Sequence, residues 1–234
     1  MDNRMINTTD DLLKRSAIVW KELMNYKYIF TYGYKNKLSR ISIIFPPEKY
    51  PHLAGFQYLN DINIPRYNSK KTVDKILDDS ICQNLIQKSQ NYEEFVKPRL
   101  NALIRLKNTL EEDFLLYAYM PRFYSFATRI KADYLISKSF SPKDYIFIIK
   151  SDSLFEQSDY NFVCCSTFEQ TNRNYAENQR QRTVLKKERI NISTGDLTVL
   201  YNRLNNENIY SFAKLFIFCT VKRNALSYNK TVKI

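Results

Sequence analysis

The hydrophobic period of the sequence changes near residue 115, and this change constrains the fold more than any other feature. Before it, apolar residues recur every three or four positions, as on the buried face of a helix. After it, short runs of β-branched and aromatic residues alternate with polar turns, as in strands. Helices followed by consecutive strands predict an α+β domain with an antiparallel sheet, because a parallel sheet needs alternating strands and helices.

Local patterns place the elements within this plan. Leu13, Ala17, Trp20 and Met24 form one apolar stripe and predict a first helix. The aromatic and β-branched residues that flank a short turn near Gly33 predict a β-hairpin. Strands are predicted over residues 26–32, 38–45, 115–120, 127–137, 145–150, 162–168, 183–192 and 212–221, and helices over 73–77, 81–88, 96–114 and 196–204. The expected fold is therefore N-terminal helices and a β-hairpin, followed by a mostly antiparallel sheet with helices packed on one face.

Residues 45–62 hold the least ordinary local sequence. They contain the only histidine, His52, one of three glycines, Gly55, and three of the seven prolines. The prolines end the preceding strand, and Leu53, Phe56 and Leu59 then recur at helical spacing. His52 is therefore predicted at a strand-to-helix turn, where unpaired backbone N–H groups favour anions.

The charge of the chain favours a polyanionic partner. With 36 basic and 24 acidic residues the formal net charge is +12, and nucleic acid is the expected partner because no lipid-anchor signal accompanies the charge. A soluble protein that uses its charge for solubility is the alternative. Basic residues interleaved with aromatic ones predict nucleic-acid contacts. These residues are Arg66, Tyr67, Lys70 and Lys71 in one polar loop, and Arg173 and Arg180 on either side of Tyr175 in another.

Several classes of chemistry are excluded by composition. Three scattered glycines exclude a phosphate-binding loop, and one histidine with unspaced cysteines disfavours zinc, so neither a metal nor a cofactor is expected. The N-terminus lacks an apolar signal core, and no apolar run is long enough to span a membrane. Four cysteines without pairing signals indicate reduced thiols and a cytoplasmic protein.

Acid–base chemistry around one imidazole survives this elimination. RNA cleavage suits such a site, because the 2′-OH of RNA is a built-in nucleophile and the protein has only to move protons and stabilise the phosphorane.

The order of several short blocks resembles a known family. His-Leu-Ala-Gly at 52–55, after a hairpin and before Leu59 and Asp61-Ile62, is similar to the phage-associated branch of the barnase–EndoU–colicin–RelE-like (BECR) ribonucleases. Later blocks agree in the same order: Lys88-Ser89, Arg99, residues 130–136, Ser166-Thr-Phe168, Tyr175, Asn178-Gln179 and Thr183-Val-Leu185. The resemblance covers roughly residues 20–190. It implies a BECR-like nuclease domain at residues 1–190 and a C-terminal extension at 191–234 that packs on the sheet or continues it.

The resemblance also implicates particular residues, which are His52, Ser89, Arg99, Ser166, Tyr175, Gln179 and Thr183. His52 would act as general base or acid, since an ordinary histidine pKa of about 6.5 suits both roles. Arg99 would bind the scissile phosphate through its planar fork. Ser166 and Thr183 would donate hydrogen bonds to a non-bridging oxygen, and Tyr175 would stack on a base or carry the second proton.

Each of these residues also has a purely structural interpretation. His52 and Ser89 are suitable helix caps, and Arg99 is spaced to pair with Glu93 or Glu94. Two functions therefore stay open. One is a metal-independent endoribonuclease, as a toxin or a phage or mobile-element effector held in check by an antitoxin or immunity protein. The other is a non-catalytic protein that binds RNA, in preference to DNA, on the same basic scaffold. A structural phage protein is a third, weaker interpretation.

Overall fold

One curled sheet of eight strands organises the part of the chain that the computed structural model describes, which is residues 11–65, 68–138, 142–151 and 161–204. The helices there are α1 (Leu12–Leu23), α2 (Tyr50–Leu53), α3 (Thr72–Leu77), α4 (Gln83–Ile86) and α5 (Lys97–Glu111). The strands are β1 (Tyr26–Tyr34), β2 (Lys37–Ile44), β3 (Phe114–Ala118), β4 (Tyr134–Lys138), β5 (Asp144–Lys150), β6 (Asn161–Glu169), β7 (Arg180–Asn191) and β8 (Leu197–Asn202). None of these helices is long and apolar enough to cross a membrane.

The sheet closes on itself. Its strand order is β1-β2-β6-β5-β4-β3-β7-β8, and β7 also pairs with β1 from Tyr26↔Asn191 to Gly33↔Thr183. Closure is possible because β7 has 12 residues, enough to pair with β3 at its start and with β1 and β8 further along. The predicted α+β class is therefore confirmed. The sheet, expected to be mostly antiparallel, is a mixed sheet closed as a barrel, in which β2 and β6 run parallel.

The predicted hairpin is present as β1 and β2. Their tight turn is made by Lys35 and Asn36, which both have positive φ angles of 48° and 61°. Two consecutive left-handed residues match the right-handed twist of paired strands. The hairpin therefore forms without a glycine at its tip.

The two faces of the sheet carry different cores, as β5 shows by alternation. Ile146 and Ile148 belong to a large core shared with residues of all five helices, whereas Tyr145 and Phe147 belong to a smaller, aromatic core. No helix covers this second core in the described residues; irregular segments around residues 119–132 and 174–176 contribute the covering side chains.

The predicted helix over residues 196–204 is wrong, because residues 197–202 form strand β8. Its sequence is Leu-Thr-Val-Leu-Tyr-Asn, and it pairs antiparallel with β7. The free edge of β7 offers main-chain hydrogen bonds that outweigh the weak helical tendency of a short segment. The strand predicted at residues 212–221 lies outside the described residues.

Two of the longer predicted elements also differ from the structure. The strand predicted over residues 127–137 is regular only in β4, because the segment before it folds over the aromatic core: the Tyr119 hydroxyl donates to the Ile130 carbonyl at 3.3 Å. The helix predicted over 96–114 is preceded by a π-helical turn, Tyr92–Val96, and ends at Glu111, so that Phe114 begins β3.

Charged groups fix α5 to the sheet near its middle and at its C-terminus. The Arg105 guanidinium donates two hydrogen bonds to Asp144 at the start of β5, at 2.8 and 2.6 Å, and the Asp144 residue is only 1% exposed. At the C-terminus of α5, the buried Lys187 ammonium donates to the carbonyls of Glu111 and Glu112. These bonds satisfy carbonyls that a helix end leaves without partners.

The Arg105–Asp144 pair gives a stability prediction. Arg105→Ala leaves a buried carboxylate without its counterion and should cost about 3 kcal/mol of unfolding free energy. Lys97→Ala is the matched control on the same helix, because it breaks only an exposed pair with Glu93 and should cost less than about 1 kcal/mol. Urea unfolding measures both; equal losses would show that the buried pair contributes no more than the exposed one.

Candidate active site

His52 lies on a single-turn helix whose other side chains fix it in place. On α2, Tyr50 and Leu53 are buried, and the Tyr50 hydroxyl shares a 2.7 Å hydrogen bond with that of Ser16 on α1. His52 itself remains exposed. His52 was predicted in a strand-to-helix turn, but it lies inside α2, in the last turn of this short helix, and the 3-10 turn Pro47–Lys49 separates it from β2.

The surroundings of His52 favour its neutral form. Partial burial of the imidazole lowers the pKa of His52, the positive charges of Arg99 and Lys49 lower it further, and a hydrogen bond with the Cys165 main chain acts in the opposite direction. The net direction is down from the ordinary value. A neutral imidazole at neutral pH is the form that accepts a proton.

Gly55 lets the chain cross closely over the start of α5. Its φ is +88°, and a Cβ there would lie 3.1 Å from the Cδ of Arg99 and 3.2 Å from the Phe95 carbonyl oxygen. Glycine adopts this backbone at the lowest cost, and only glycine also leaves the space of the Cβ empty. The His-Leu-Ala-Gly block therefore brings His52 and Arg99 to the same place.

Arg99 is held by hydrogen bonds and by rings. Its guanidinium donates to the Phe95 carbonyl at 2.6 Å and to the Tyr58 hydroxyl at 3.2 Å, and lies 4.7 Å from the centre of the Tyr58 ring. Phe168 of β6 lies on another side, at 5.7 Å. Burial lowers the pKa of Arg99, and Tyr58 and Tyr175 act to raise it. No ion pair joins Arg99 to Glu93 or Glu94, the alternative partners predicted from spacing.

Tyr175 completes the group from the segment between β6 and β7. It is 8% exposed, its amide donates to the Tyr145 hydroxyl at 3.2 Å, and its carbonyl accepts from the Tyr124 hydroxyl at 2.6 Å. Its ring contacts Phe168 edge-on, with centroids 5.4 Å apart. A ring enclosed in this way leaves little face for a base to stack on.

A β-bulge in β6 places Ser166 on the same side of the sheet as Tyr175. Phe147 of β5 pairs with Ser166 and Ile148 with Cys164, so Cys165 is the extra residue. Ser166 thus faces the side of Phe147 and Phe168, because directly paired residues share a face. Burial raises the pKa of the Cys165 thiol to about 12. Cys165 is therefore a thiol, not a nucleophilic thiolate, at neutral pH.

Ser89 and Gln179 use their side chains inside the protein. The Ser89 hydroxyl donates to Asp61 at 2.6 Å, which ties the segment after Tyr58 to the π-helical turn. The Gln179 amide accepts from the Met120 N–H at 2.6 Å and donates to the Met120 carbonyl at 3.2 Å. Both residues therefore position their neighbours.

The other predicted site residues lie elsewhere. Thr183 pairs with Gly33, and it lines a shallow cavity of about 170 Å³ together with Arg182, Lys187 and Tyr201, so it does not join His52. Arg173 and Arg180 are exposed and lie over aromatic rings. Lys70 and Lys71 are exposed in a 3-10 turn before α3. Arg66 and Tyr67 lie outside the described residues.

The cluster of His52, Arg99, Ser166 and Tyr175 is an open one. A cavity of about 500 Å³ adjoins α2 through Pro51, but none of the four residues lines it. Among the described residues, no three His, Cys, Asp or Glu side chains come close enough to hold a metal ion. Two residues of the site were not predicted from the sequence. No motif indicates Tyr58, and Phe168 belongs to the Ser166-Thr-Phe168 block but had no predicted role.

The comparison with protein families identifies the class of this protein. The chain belongs to the phage-associated nucleases of the barnase–EndoU–colicin–RelE type, which confirms the resemblance seen in its sequence. The matching family is described as phage-Barnase-EndoU-ColicinE5/D-RelE like nuclease 4, and the match covers residues 12–204. No curated protein and no solved structure matches the chain. The division of the chain at residue 190 stays a prediction.

The Gly55 crossing gives a testable prediction. Gly55→Ala should destabilise the fold by more than the about 1–2 kcal/mol that a left-handed backbone costs an L-residue, since its Cβ also meets Arg99 and a main-chain oxygen. Gly195→Ala is the matched control, because it shares a positive φ but has no atom within 4 Å of the added Cβ. Urea unfolding measures both, and an equal loss in the two variants would contradict a close crossing at Gly55.

The charge of Arg99 should be visible in the titration of His52. His52 is the only histidine, so its ring C–H resonances in an NMR titration are unambiguous. We expect a pKa below the ordinary value of about 6.5, and a rise toward that value in Arg99→Met. Lys14→Met is the control, because Lys14 pairs with Asp79 and is not among the groups that shift His52. If the pKa of His52 is unchanged in Arg99→Met, the two side chains do not interact.

Proposed function

We propose that the protein is an endoribonuclease that cleaves RNA by attack of the 2′-OH, without a metal, and with His52 as the general base. The observation that carries the proposal is the convergence of His52 and Arg99 in a chain of a nuclease family. A neutral imidazole beside a guanidinium provides a proton acceptor and a phosphate ligand in one place.

The proposed reaction has one bond-forming and one bond-breaking event. His52 takes the proton of the 2′-OH, and the 2′-oxygen attacks the adjacent phosphorus. The P–O5′ bond breaks, which leaves a 2′,3′-cyclic phosphate on one fragment and a 5′-OH on the other. The positive charge of Arg99 stabilises the additional negative charge of the phosphorane, and the Ser166 hydroxyl donates to a non-bridging oxygen.

The leaving 5′-oxygen needs a proton, and we assign its delivery to Tyr175. The burial of its ring argues against base stacking, and its proximity to Arg99 supports a role beside the phosphate. Ser89 and Gln179 are assigned positioning roles instead of RNA contacts, because their side chains bond to other protein groups. Thr183 has no catalytic part in this proposal.

RNA phosphates are bound by exposed basic residues outside this cluster. Lys70 and Lys71, and Arg173 and Arg180, supply the exposed charge. Arg66 and Tyr67 are retained as predicted contacts. Because a nuclease that attacks cellular RNA has to be restrained, an antitoxin or immunity protein is an expected partner.

A non-catalytic RNA-binding protein is the second candidate. The open position of the cluster favours it, since His52 lines none of the described cavities and catalytic groups usually lie in a concave site. A polymer substrate, however, does not need an enclosed pocket. Cleavage itself decides between the two.

Incubation with total RNA in EDTA should yield new 3′ ends that carry 2′,3′-cyclic phosphates. His52→Ala should lower the rate by about 10²–10⁴-fold, the usual share of general acid–base catalysis. His52→Asn is the sharper variant, because it keeps hydrogen bonding but cannot titrate near neutral pH. The rate should rise with pH through the lowered pKa of His52, since the deprotonated form is the base. If the Asn variant cleaves as fast as the parent, His52 is structural; if the parent cleaves no RNA, the binding protein is the better description.

A modified substrate tests Tyr175 in the same assay. Tyr175→Phe keeps the ring and removes the proton donor, so cleavage of ordinary RNA should slow. An RNA with sulfur in place of the 5′-oxygen has a leaving group that needs no proton, and the same variant should cleave it at nearly the parent rate. Equal slowing on both substrates would remove the proton-donor role.

A further inference from the structure

Arginines stack on aromatic rings along one rim of the sheet. The Arg182 guanidinium carbon lies 3.5 Å from the centre of the Tyr34 ring. Arg122 and Arg180 lie over Phe123, at 5.1 and 5.8 Å, and Arg173 lies over Phe126 at 5.1 Å. We name the whole set the arginine–aromatic strip; it consists of Tyr34, Arg122, Phe123, Phe126, Arg173, Arg180 and Arg182.

Strand pairing brings the strip together from distant parts of the chain. Gly33 at the end of β1 pairs with Thr183, so Tyr34 lies beside Arg182. Ala118 at the end of β3 pairs with Arg180, which brings the following turn with Phe123 to the same rim. The double hydrogen bond between Gln179 and Met120 fixes that turn to the start of β7. The strip is therefore supported by the main chain of the barrel.

The strip carries positive charge that no carboxylate neutralises. Among the described residues, Arg122, Arg173, Arg180 and Arg182 form no ion pair, whereas Arg105 and Arg189 bind Asp144 and Glu111 directly. The pKa of Tyr34 is lowered. Desolvation acts to raise this pKa, but the hydrogen bond to Arg182 and the charges of Lys35 and Arg180 together outweigh it. Four guanidinium groups without counterions favour an anionic ligand.

The strip is continuous with the candidate active site. Phe126 contacts Tyr175 at a centroid distance of 5.2 Å, Tyr175 contacts Phe168 at 5.4 Å, and Phe168 lies 5.7 Å from Arg99. A chain bound along the strip thus leads to the groups assigned to cleavage. Tyr34, Phe123 and Phe126 remain partly exposed, as rings that contact a ligand must be.

We propose that the arginine–aromatic strip binds the single-stranded RNA that leads out of the cleavage site, with bases on the rings of Tyr34 and Phe123 and phosphates on the arginines. The proposal rests on the proposed function in naming RNA as the ligand. Rings interleaved with guanidinium groups suit unpaired bases on a charged backbone, because a duplex keeps its base faces stacked internally. An acidic protein surface would match the charge but would not need the rings.

Binding to a probe that resists cleavage tests the strip. The probe is a fluorescent 12-nucleotide RNA with 2′-O-methyl groups, which lack the nucleophile, and anisotropy is measured over a series of salt concentrations. Tyr34→Leu and Phe123→Leu should weaken binding between about 5-fold and about 100-fold, the usual range for one stacked base, with an unchanged salt slope. Arg180→Ala and Arg182→Ala should each reduce the slope of log K against log salt by about 0.7.

Two controls separate stacking from charge and from misfolding. Arg182→Lys keeps the charge but loses the planar stack, so it should keep the salt slope and still bind less tightly. Arg15→Ala removes an equal charge from α1 and should bind like the parent. Thermal unfolding followed by circular dichroism shows whether each variant keeps the parent fold. If Tyr34→Leu does not fold, Arg182→Lys still tests the proposal, because lysine has nearly the volume of the arginine that it replaces.

Three outcomes would overturn the proposal. They are parent-like binding in both the Tyr34 and Phe123 variants, equal losses in Arg15→Ala and Arg182→Ala, and equal affinity for a duplex of the same sequence. If all the strip variants bind RNA like the parent, RNA is not the ligand of the strip, and the strip is better explained as a surface for an acidic protein. A dinucleotide substrate is too short to reach the strip, and it keeps the two proposals apart. The Tyr34, Phe123 and Arg182 variants should cleave it at the parent rate, and His52 variants should not.

Discussion

The missing side chain at Gly55 is the constraint on which the candidate site depends. Without it, the turn after α2 passes so close to Arg99 and Phe95 that an added Cβ would lie 3.1 Å from the Arg99 Cδ and 3.2 Å from the Phe95 carbonyl oxygen. His52 thereby comes within the field of a guanidinium. That carbonyl lies in the π-helical turn and accepts the Arg99 hydrogen bond. A π-helical turn frequently marks a functional site because it interrupts the regular helix ladder. One glycine and one irregular turn thus bring His52 and Arg99 together.

Much of the fold could be predicted from local patterns, because hairpins and amphipathic helices are specified by nearby residues. The closure of the sheet could not. It depends on β7 reaching β1, and no local signal reports which distant strand a strand will choose. β8 was missed for the same reason. Its residues have only a weak local preference between helix and strand, and pairing with the free edge of β7 makes them a strand.

The candidate site was predictable only in part. Motif order identified His52, Arg99, Ser166 and Tyr175, which the fold brings to one side of β6. The same motif order included Ser89 and Gln179, whose side chains bind protein groups, and Thr183, which lies beside Gly33. A motif resemblance identifies positions, but it does not distinguish a side chain that contacts a ligand from one that stabilises the scaffold. Only partners and distances make that distinction.

The closure of the barrel also bears on when the candidate site is assembled during synthesis. Tyr26 of β1 pairs with Asn191 of β7. One edge of β1 therefore has no partner strand until nearly the whole described chain has left the ribosome. Contacts between such distant residues form late and slowly, because the intervening loop has to be ordered first. β6 and Tyr175 arrive at almost the same time. We therefore expect His52, Arg99, Ser166 and Tyr175 to come together only late in synthesis, when β7 closes the barrel against β1.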